Sequence, residues 1–528
     1  MKRISRPMLG LISAALGGLA VLGAVQLDLL GRETNVTPHF KIQDSAIDRE
    51  TRGVTSYSPV IKRAAPAVVN IYSTRTVKLR RMPMNPFFGS PFGELFGDDG
   101  EQPGRSNRRR GRNAPPQTQT RKEQSLGSGV IVSPEGYVLT ANHVVDGADP
   151  DGVKVSLTDG GREYTAKIIG TDPQTDVAVL KIDAEKLSPI TLADSDKIEV
   201  GDVVMAIGNP FGLGQTVTMG IVSATGRTSL GIIRNGNQRG YENFIQTDAA
   251  INMGNSGGAL IDAEGRLIGI NTAIVSPSGG NSGVGFAVPI NMARGVMERL
   301  IQFGKVTRGF LGVSLSGEIT SDLAEELKLP DTSGALVTGV EPNSPASRVG
   351  LKPYDVIREV DGKKITDADQ LRLMVSQMAP GAKVTLKLLR GESGRKPAEK
   401  TVSATLASLP SDSDSNDDQS SSNQSIGSDT DSLDGVEVAD LDANTREEMK
   451  VPENIKGAIV TNVEPESNSA EAGLQRGDII LEIDRKPVQD ADQAVKLSED
   501  AKGKRVLLRI WRNGGSTVLI VDNAKKKD

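Results

Sequence analysis

The sequence predicts a mainly β protein built from several domains. Three observations carry that expectation. The chain has 528 residues, more than one hydrophobic core organises, so two to four domains are expected. Glycine occurs 58 times while aromatic residues make up only 3%. With Val and Ile in short runs, that composition favours strands and tight turns over helical bundles. Finally, SGALVTGVEPNSPASRVGLKPYDVIREVDG at 333–362 echoes KGAIVTNVEPESNSAEAGLQRGDIILEIDR at 456–485. A constant offset pairs Gly334 with Gly457, Glu341 with Glu464, Gly350 with Gly473, Asp355 with Asp478 and Asp369 with Asp492. A gapless match of this length marks a duplicated domain.

The elements follow in order. Lys2, Arg3 and Arg6 precede an uncharged run from Pro7 to Leu27. A basic start before an apolar stretch reads as an export signal over residues 1–27, either removed or kept as a membrane anchor. The body of the protein is therefore expected outside the cytoplasm. Ala65-Pro66-Ala67-Val68-Val69-Asn70-Ile71 reads as a first strand. Residues 82–124 break the pattern, first with Phe, Pro and Gly, then with a basic polar run, and read as a long mobile loop. From Gly127 short apolar runs recur: GVIVSPEGYVLTA, KVSLTDGGREYTAKIIG, DVAVLKI, DVVMAIG, GIVSAT, LIGINTAIV and GVGFAVPI. Many short strands with glycine turns predict one all-β barrel or sandwich over residues 58–304. The helical pattern NMARGVMERLIQFG closes it. The two repeat domains span 305–407 and 435–523. Between them, residues 408–434 are mostly Ser, Asp, Asn and Gln and read as a flexible acidic linker.

Composition also excludes functions. The 62 basic and 67 acidic residues leave a net charge of −5, which gives no case for a nucleic-acid partner. The chain has no cysteine, so disulfides, thiol catalysis and cysteine-held metals are ruled out.

The segment DAAINMGNSGGALID, residues 248–262, places Ser256 among Gly254, Gly257 and Gly258. It fits the G-x-S-x-G pattern of a nucleophile elbow. It is also compatible with a passive glycine turn. A serine nucleophile needs a base, usually histidine, and a third group to orient that base. The only histidines are His39 and His143, both upstream of Ser256. The α/β-hydrolase order, with histidine last, is therefore impossible. His143 lies at the end of a strong strand pattern and is the candidate base. The order His, Asp, Ser then requires an Asp between 143 and 256. Asp176, opening DVAVLKI, fits best, with Asp172 as runner-up. Asp248 is expected to pin the serine loop. The N–H groups of Gly254 and Ser256, in a loop curled around Asn255, are expected to face a developing oxyanion.

LTANHVV, DVAVLKI and DAAINMGNSGGAL, with GNPFGLGQTVTMGIVSA between them, closely resemble the HtrA-type (Do/DegP/DegQ-like) serine proteases. The two repeats are similar to PDZ domains. The resemblance covers about residues 58–523 and implies a chymotrypsin-like double β-barrel followed by two PDZ domains. It gives His143, Asp176 and Ser256 the triad roles, and the Gly254, Asn255 and Ser256 loop the oxyanion hole. It places substrate contacts at Asn271, Thr272 and Ile274. It implies a periplasmic, ATP-independent endopeptidase of unfolded or damaged proteins, without metal or cofactor, assembled as a trimer-based homo-oligomer. A chaperone or PDZ scaffold with a resting protease domain is the alternative. In the first repeat, Gly309, Phe310, Leu311 and Gly312 resemble a loop that binds the C-terminal carboxylate of a peptide. In the second, Asp434 stands where the first has Leu311. An acidic group disfavours a carboxylate ligand, so the second repeat is either a spacer or a binding module.

Overall fold

The computed structural model describes residues 38–45, 56–79, 119–158, 161–209, 214–235, 238–252, 254–274, 283–391, 395–409, 430–433, 435–501 and 503–522. The expected export signal, nearly all of the expected loop at 82–124 and most of the expected linker lie outside these residues. The chain divides into two compact units, 1–306 and 307–528.

The first unit contains two β structures. One is a seven-stranded sheet of β1 (Val68–Leu79), β2 (Gln119–Ile131), β3 (Tyr137–Ala141), β4 (Val153–Ser156), β5 (Glu163–Thr165), β6 (Lys167–Asp172) and β7 (Val177–Lys181). Its spatial order is β5-β4-β1-β2-β3-β7-β6. The other is a closed barrel. It contains β8 (Val203–Gly208), β9 (Thr216–Arg227), β12 (Phe244–Thr247), β13 (Ala259–Asp262), β14 (Leu267–Ile274) and β15 (Gly285–Pro289). The short strands β10 (Arg234–Asn235) and β11 (Gln238–Arg239) pair separately. Val68 opens the first strand, whereas Ala65–Ala67 form a 3-10 turn. Pro66 lacks the N–H that a strand ladder would use, which explains the later start.

Both structures bury branched aliphatic side chains. Val130, Val138, Leu139, Val179 and Leu180 are buried in the sheet. Val204, Ala206, Val222, Ile245, Leu260, Ile268 and Ala287 fill the barrel. The helix Ile290–Phe303 follows the expected pattern, burying Ile290, Ala293, Val296, Met297 and Leu300 at helical spacing.

The second unit holds the duplicated domains. The first has β16 (Gly309–Phe310), β17 (Val313–Leu315), β18 (Ala335–Val340), β19 (Asp355–Val360), β20 (Lys363–Lys364), β21 (Lys383–Arg390), β22 (Ala398–Thr405) and β23 (Ala407–Ser408). Its main sheet runs β17-β18-β19-β21-β22. The second has β24 (Thr430–Ser432), β25 (Val436–Asp440), β26 (Ala458–Val463), β27 (Ile479–Ile483), β28 (Lys486–Pro487), β29 (Arg505–Arg512) and β30 (Gly515–Asp522). Its path is β24-β25-β26-β27-β29-β30.

The duplication extends to individual hydrogen bonds. Lys352 N–H donates to Asp355 and Gln475 N–H to Asp478, at 2.9 and 2.8 Å. Asp367 caps the helix Ala368–Gln377 by accepting from Gln370 N–H, and Asp490 caps Ala491–Glu499 by accepting from Gln493 N–H. Arg390 forks onto buried Asp355, and Arg512 onto buried Asp478. Removing Arg390 strands a carboxylate whose side chain is only 1% exposed. Arg390→Ala is expected to destabilise the first repeat by about 3–5 kcal/mol. Denaturant unfolding measures this, and a loss under about 1 kcal/mol, the scale of an exposed pair, would refute it.

The two repeats also share a core. Leu323, Leu336 and Val356 of the first pack with Leu507 and Val518 of the second. Thr338 Oγ1 donates to Ser516 O at 2.6 Å, and Tyr354 Oη donates to Glu482 at 2.8 Å. Excising one repeat would therefore expose apolar surface on the other.

Candidate active site

His143 lies one residue into the short helix Asn142–Val145, directly after β3. Asp176 occupies the turn before β7, one residue ahead of the strand that its sequence context suggested it would open. Its φ of +55° is left-handed, a conformation rare for a residue with a side chain. The neighbouring chains hold it there. Asp176 O accepts from Asn142 N–H at 3.0 Å. Its Oδ1 accepts from His143 N–H at 2.9 Å. Its Oδ2 lies 2.8 Å from His143 Nδ1 and also accepts from Thr272 Oγ1. The contact to Nδ1 fixes the imidazole ring and leaves Nε2 for other chemistry. The His143 side chain is 42% exposed and that of Asp176 11%, so a substrate can reach the imidazole but not the carboxylate. The runner-up, Asp172, is buried at the end of β6, where it accepts from Thr175 Oγ1 at 2.5 Å.

The electrostatics follow from this pair. Burial alone would lower His143, but the Asp176 charge and hydrogen bond outweigh it, and the imidazole titrates above its ordinary value. Burial alone would raise Asp176, but the His143 charge and the bonds from His143 and Thr272 hold its carboxyl below the usual range.

The Ser256 loop is fixed by its own backbone and by two strands. Asn255 N–H donates to Asn252 O at 2.9 Å, Gly257 N–H to Asn271 O at 2.7 Å and Gly258 N–H to Asn255 O at 2.9 Å. Among the described residues, the N–H groups of Gly254 and Ser256 have no partner. The Asn255 carbonyl turns to Gly258, so the planar peptide turns Ser256 N–H the opposite way. These are the two donors expected for an oxyanion. Asn255 contributes conformation rather than a donor, since its own N–H is spent on Asn252. A Cβ on Gly257 would meet Ser128 O at 2.2 Å and Thr140 Oγ1 at 2.3 Å, at a φ of +80°. Only glycine fits there. Ser256 Oγ donates to Thr272 O at 3.3 Å.

The side chains of Thr272 and Asn271, two of the expected substrate contacts, are turned into the protein. Thr272 is buried against Asp176, and Asn271 Nδ2 donates to Ala259 O at 3.0 Å inside the barrel. Polar groups buried in a strand seek partners within the protein; Thr272 Oγ1 and Asn271 Nδ2 find them, while Asn271 Oδ1 has none among the described residues. Asp248 does not pin the serine loop: its Oδ1 accepts from Ile221 N–H of β9 at 2.7 Å. Ile274 ends β14, but its side chain lies outside the described residues. Sequence reasoning missed Ser128, whose hydroxyl donates to Gly254 O at 2.6 Å. No local motif reveals a contact between residues so far apart in the chain.

With this geometry in place, comparison with known proteins is informative. Residues 127–270 match a trypsin-like peptidase domain, and residues 309–404 and 459–512 each match a PDZ domain. The chain is 41% identical over 477 residues to the periplasmic serine endoprotease DegP of Salmonella typhimurium, covering 88% of this chain and 91% of that protein. The chain belongs to the HtrA family of serine endoproteases. A probable periplasmic serine protease do/HhoA-like of Haemophilus influenzae is 37% identical, covering 95% of this chain and 98% of that one. A solved HtrA-type protease, AlgW with tripeptide, is 44% identical with a TM-score of 0.52, covering 68% of this chain and 98% of that chain. The protein is thus a mainly β HtrA serine endopeptidase carrying two PDZ domains.

In the first PDZ domain, Leu311 O accepts from Ala346 N–H at 2.9 Å and Gly312 O from Glu341 N–H at 3.0 Å. Both carbonyls face inward, which turns the next N–H groups, those of Gly312 and Val313, the other way. Gly309 N–H is already spent on Met378 O. Leu311 is buried in the domain core and Phe310 is half-buried. Leu311 is therefore a packing residue of the domain core.

Proposed function

We propose that this HtrA protein is an exported, periplasmic endopeptidase that cuts unfolded or damaged polypeptides without ATP, and that its first PDZ domain captures their C-termini. The observation that carries the reading is the pair of buried Asp176 and accessible His143 beside a loop whose Gly254 and Ser256 N–H groups are unspent among the described residues. His143, oriented by Asp176 and Thr272, takes the proton of Ser256 Oγ as that oxygen attacks the scissile carbonyl. The carbonyl oxygen gains charge and is met by the N–H groups of Gly254 and Ser256. His143 then returns the proton to the leaving amine, and water resolves the acyl-enzyme by the same route. Ser256 Oγ, which rests on Thr272 O, swings to His143 for the first step. The expected domains, a protease over 58–304 and PDZ domains over 305–407 and 435–523, fit the matched segments. Trimer-based assembly and membrane attachment through residues 1–27 belong to the same reading. Among the described residues, no helix is long and apolar enough to cross a membrane.

The test compares one model substrate, folded and chemically unfolded, incubated with the enzyme without nucleotide. Fragments are expected from the unfolded form only. Equal cleavage of both forms, or cleavage only with ATP, would overturn the reading.

The two PDZ domains divide the labour. The β17 edge is unpaired among the described residues, so a peptide can add beside it as a further strand. In the second domain the corresponding strand, β25, is already paired along that edge by β24, with Thr430 opposite Val438 and Ser432 opposite Val436. The chain itself fills the position a peptide would take, which favours the spacer reading for the second domain. A peptide ending in an apolar residue should bind the Ser256→Ala protein at least ~10-fold more tightly than its C-terminal amide, because the carboxylate is what the loop N–H groups recognise. Fluorescence anisotropy measures both, and equal affinities would count against C-terminal capture.

A further inference from the structure

We infer that Ser128 is a positioning residue for catalysis, acting through the oxyanion loop. This rests on the catalytic reading above and adds to it. Ser128 lies on β2 and is fully buried. Its backbone N–H donates to Ser256 O at 2.8 Å. Its hydroxyl donates to Gly254 O at 2.6 Å and accepts from Asn209 N–H at 2.9 Å. A carbonyl cannot donate and an amide N–H cannot accept, so the single hydroxyl proton has one place to go. Ser128 therefore grips the loop on both sides of Asn255 and ties it to Asn209, just after β8.

The grip matters because of Gly254. Its φ is +92°, and glycine passes between left- and right-handed regions at little cost. Rotation there would turn the Gly254 N–H away from the position of the oxyanion. Its N–H makes no internal bond among the described residues, so nothing on the donor side holds it. The restraint comes from the following peptide, whose carbonyl is held by Ser128 and whose N–H is held by Asn252 O. The strand is in turn held: Ser128 O accepts from Thr140 Oγ1 at 2.7 Å, and Thr140 belongs to β3, which leads into His143. One residue, through its hydroxyl and its carbonyl, thus relates the oxyanion donors, the strand that leads into His143 and Asn209.

Ser128→Ala removes the hydroxyl and nothing else. The donors and the backbone bonds of the loop remain, and only the anchor on the Gly254 carbonyl and the tie to Asn209 are lost, so the loss should fall below that for deleting an oxyanion donor outright. A fall in kcat of about 10- to 100-fold is expected, with KM for a short peptide changed by less than ~3-fold. Affinity for a peptide aldehyde, whose adduct carries the tetrahedral oxyanion, should weaken by the same factor as kcat. Ser128→Thr, which keeps the hydroxyl, should recover most of the loss. Assays run at a temperature where unfolding curves show each variant fully folded. If Ser128→Ala does not fold, Ser128→Cys, similar in volume but a weak donor, is read in the same way. The inference is overturned if kcat is unchanged, or if kcat falls while aldehyde affinity does not. Ser256→Ala run in parallel separates the two levels: if it cleaves like wild type, the catalytic reading fails first.

Discussion

Ser256→Ala is expected to abolish peptide-bond cleavage, lowering kcat by about 10⁶-fold. The size of the effect follows from the site. Among the described residues Ser256 carries the hydroxyl between the two unspent N–H groups and Thr272, and the sequence has no cysteine to substitute for it. Residual turnover would come from substrate held against the oxyanion donors with water as nucleophile. Binding should survive, because the loop bonds from Asn255, Gly257 and Gly258 do not involve the side chain. Kinetics on a chromogenic peptide, with binding measured on the same variant, separate these effects. Turnover within tenfold of wild type would show that another group attacks the carbonyl.

Asp176→Asn is expected to cost about 10⁴-fold in kcat. The amide keeps the shape but loses the charge, and an NH₂ facing Nδ1 favours the wrong tautomer. The variant also has a pH signature. In wild type the Asp176 carboxylate holds the imidazolium, so His143 titrates above its ordinary value. Activity requires neutral His143. The acid limb of kcat/KM should therefore rise with a midpoint above about 6.5. Without the Asp176 charge, burial is opposed only by the lesser effect of the Asp146 charge, and the midpoint should move to lower pH even as kcat collapses. A limb that stays in place would mean that Asp176 does not set the imidazole's charge state. The same pair makes a signed contribution to stability. Because the folded His143 value is raised, its contribution is present in full below the unfolded value and is lost as pH rises through the folded one.

Much of this site was legible in the sequence because the chain is so sparing with histidine. Two histidines, both upstream, removed one hydrolase order and left His143, after which Asp176 was the aspartate next to a buried strand. The glycines around Ser256 announced a curled loop, and the structure shows which two N–H groups the curl leaves unspent. The internal repeat paired Asp355 with Asp478, but their partners Arg390 and Arg512 stand one residue off that register, so the forks were not legible. What was not legible depends on register between distant strands. The Thr272 side chain faces Asp176 at a bulge in the β14–β15 pairing between Asn271 and Ala273. Asp248 serves β9 rather than the serine loop. Ser128 reaches Gly254 across 126 positions of sequence. The β24 strand that fills the second PDZ edge comes from a run that composition marks as linker, since three residues of backbone pairing need no apolar pattern.

The central claim is that Ser256, activated by His143, is the nucleophile of a serine endopeptidase. Its most direct test is mass spectrometry after reaction with a fluorophosphonate, which phosphonylates an activated serine with loss of fluoride. One adduct per chain is expected, on the peptide that carries Ser256, and it should be absent in His143→Ala. An adduct at any other residue, or labelling of Ser256 that persists undiminished without His143, would contradict the account.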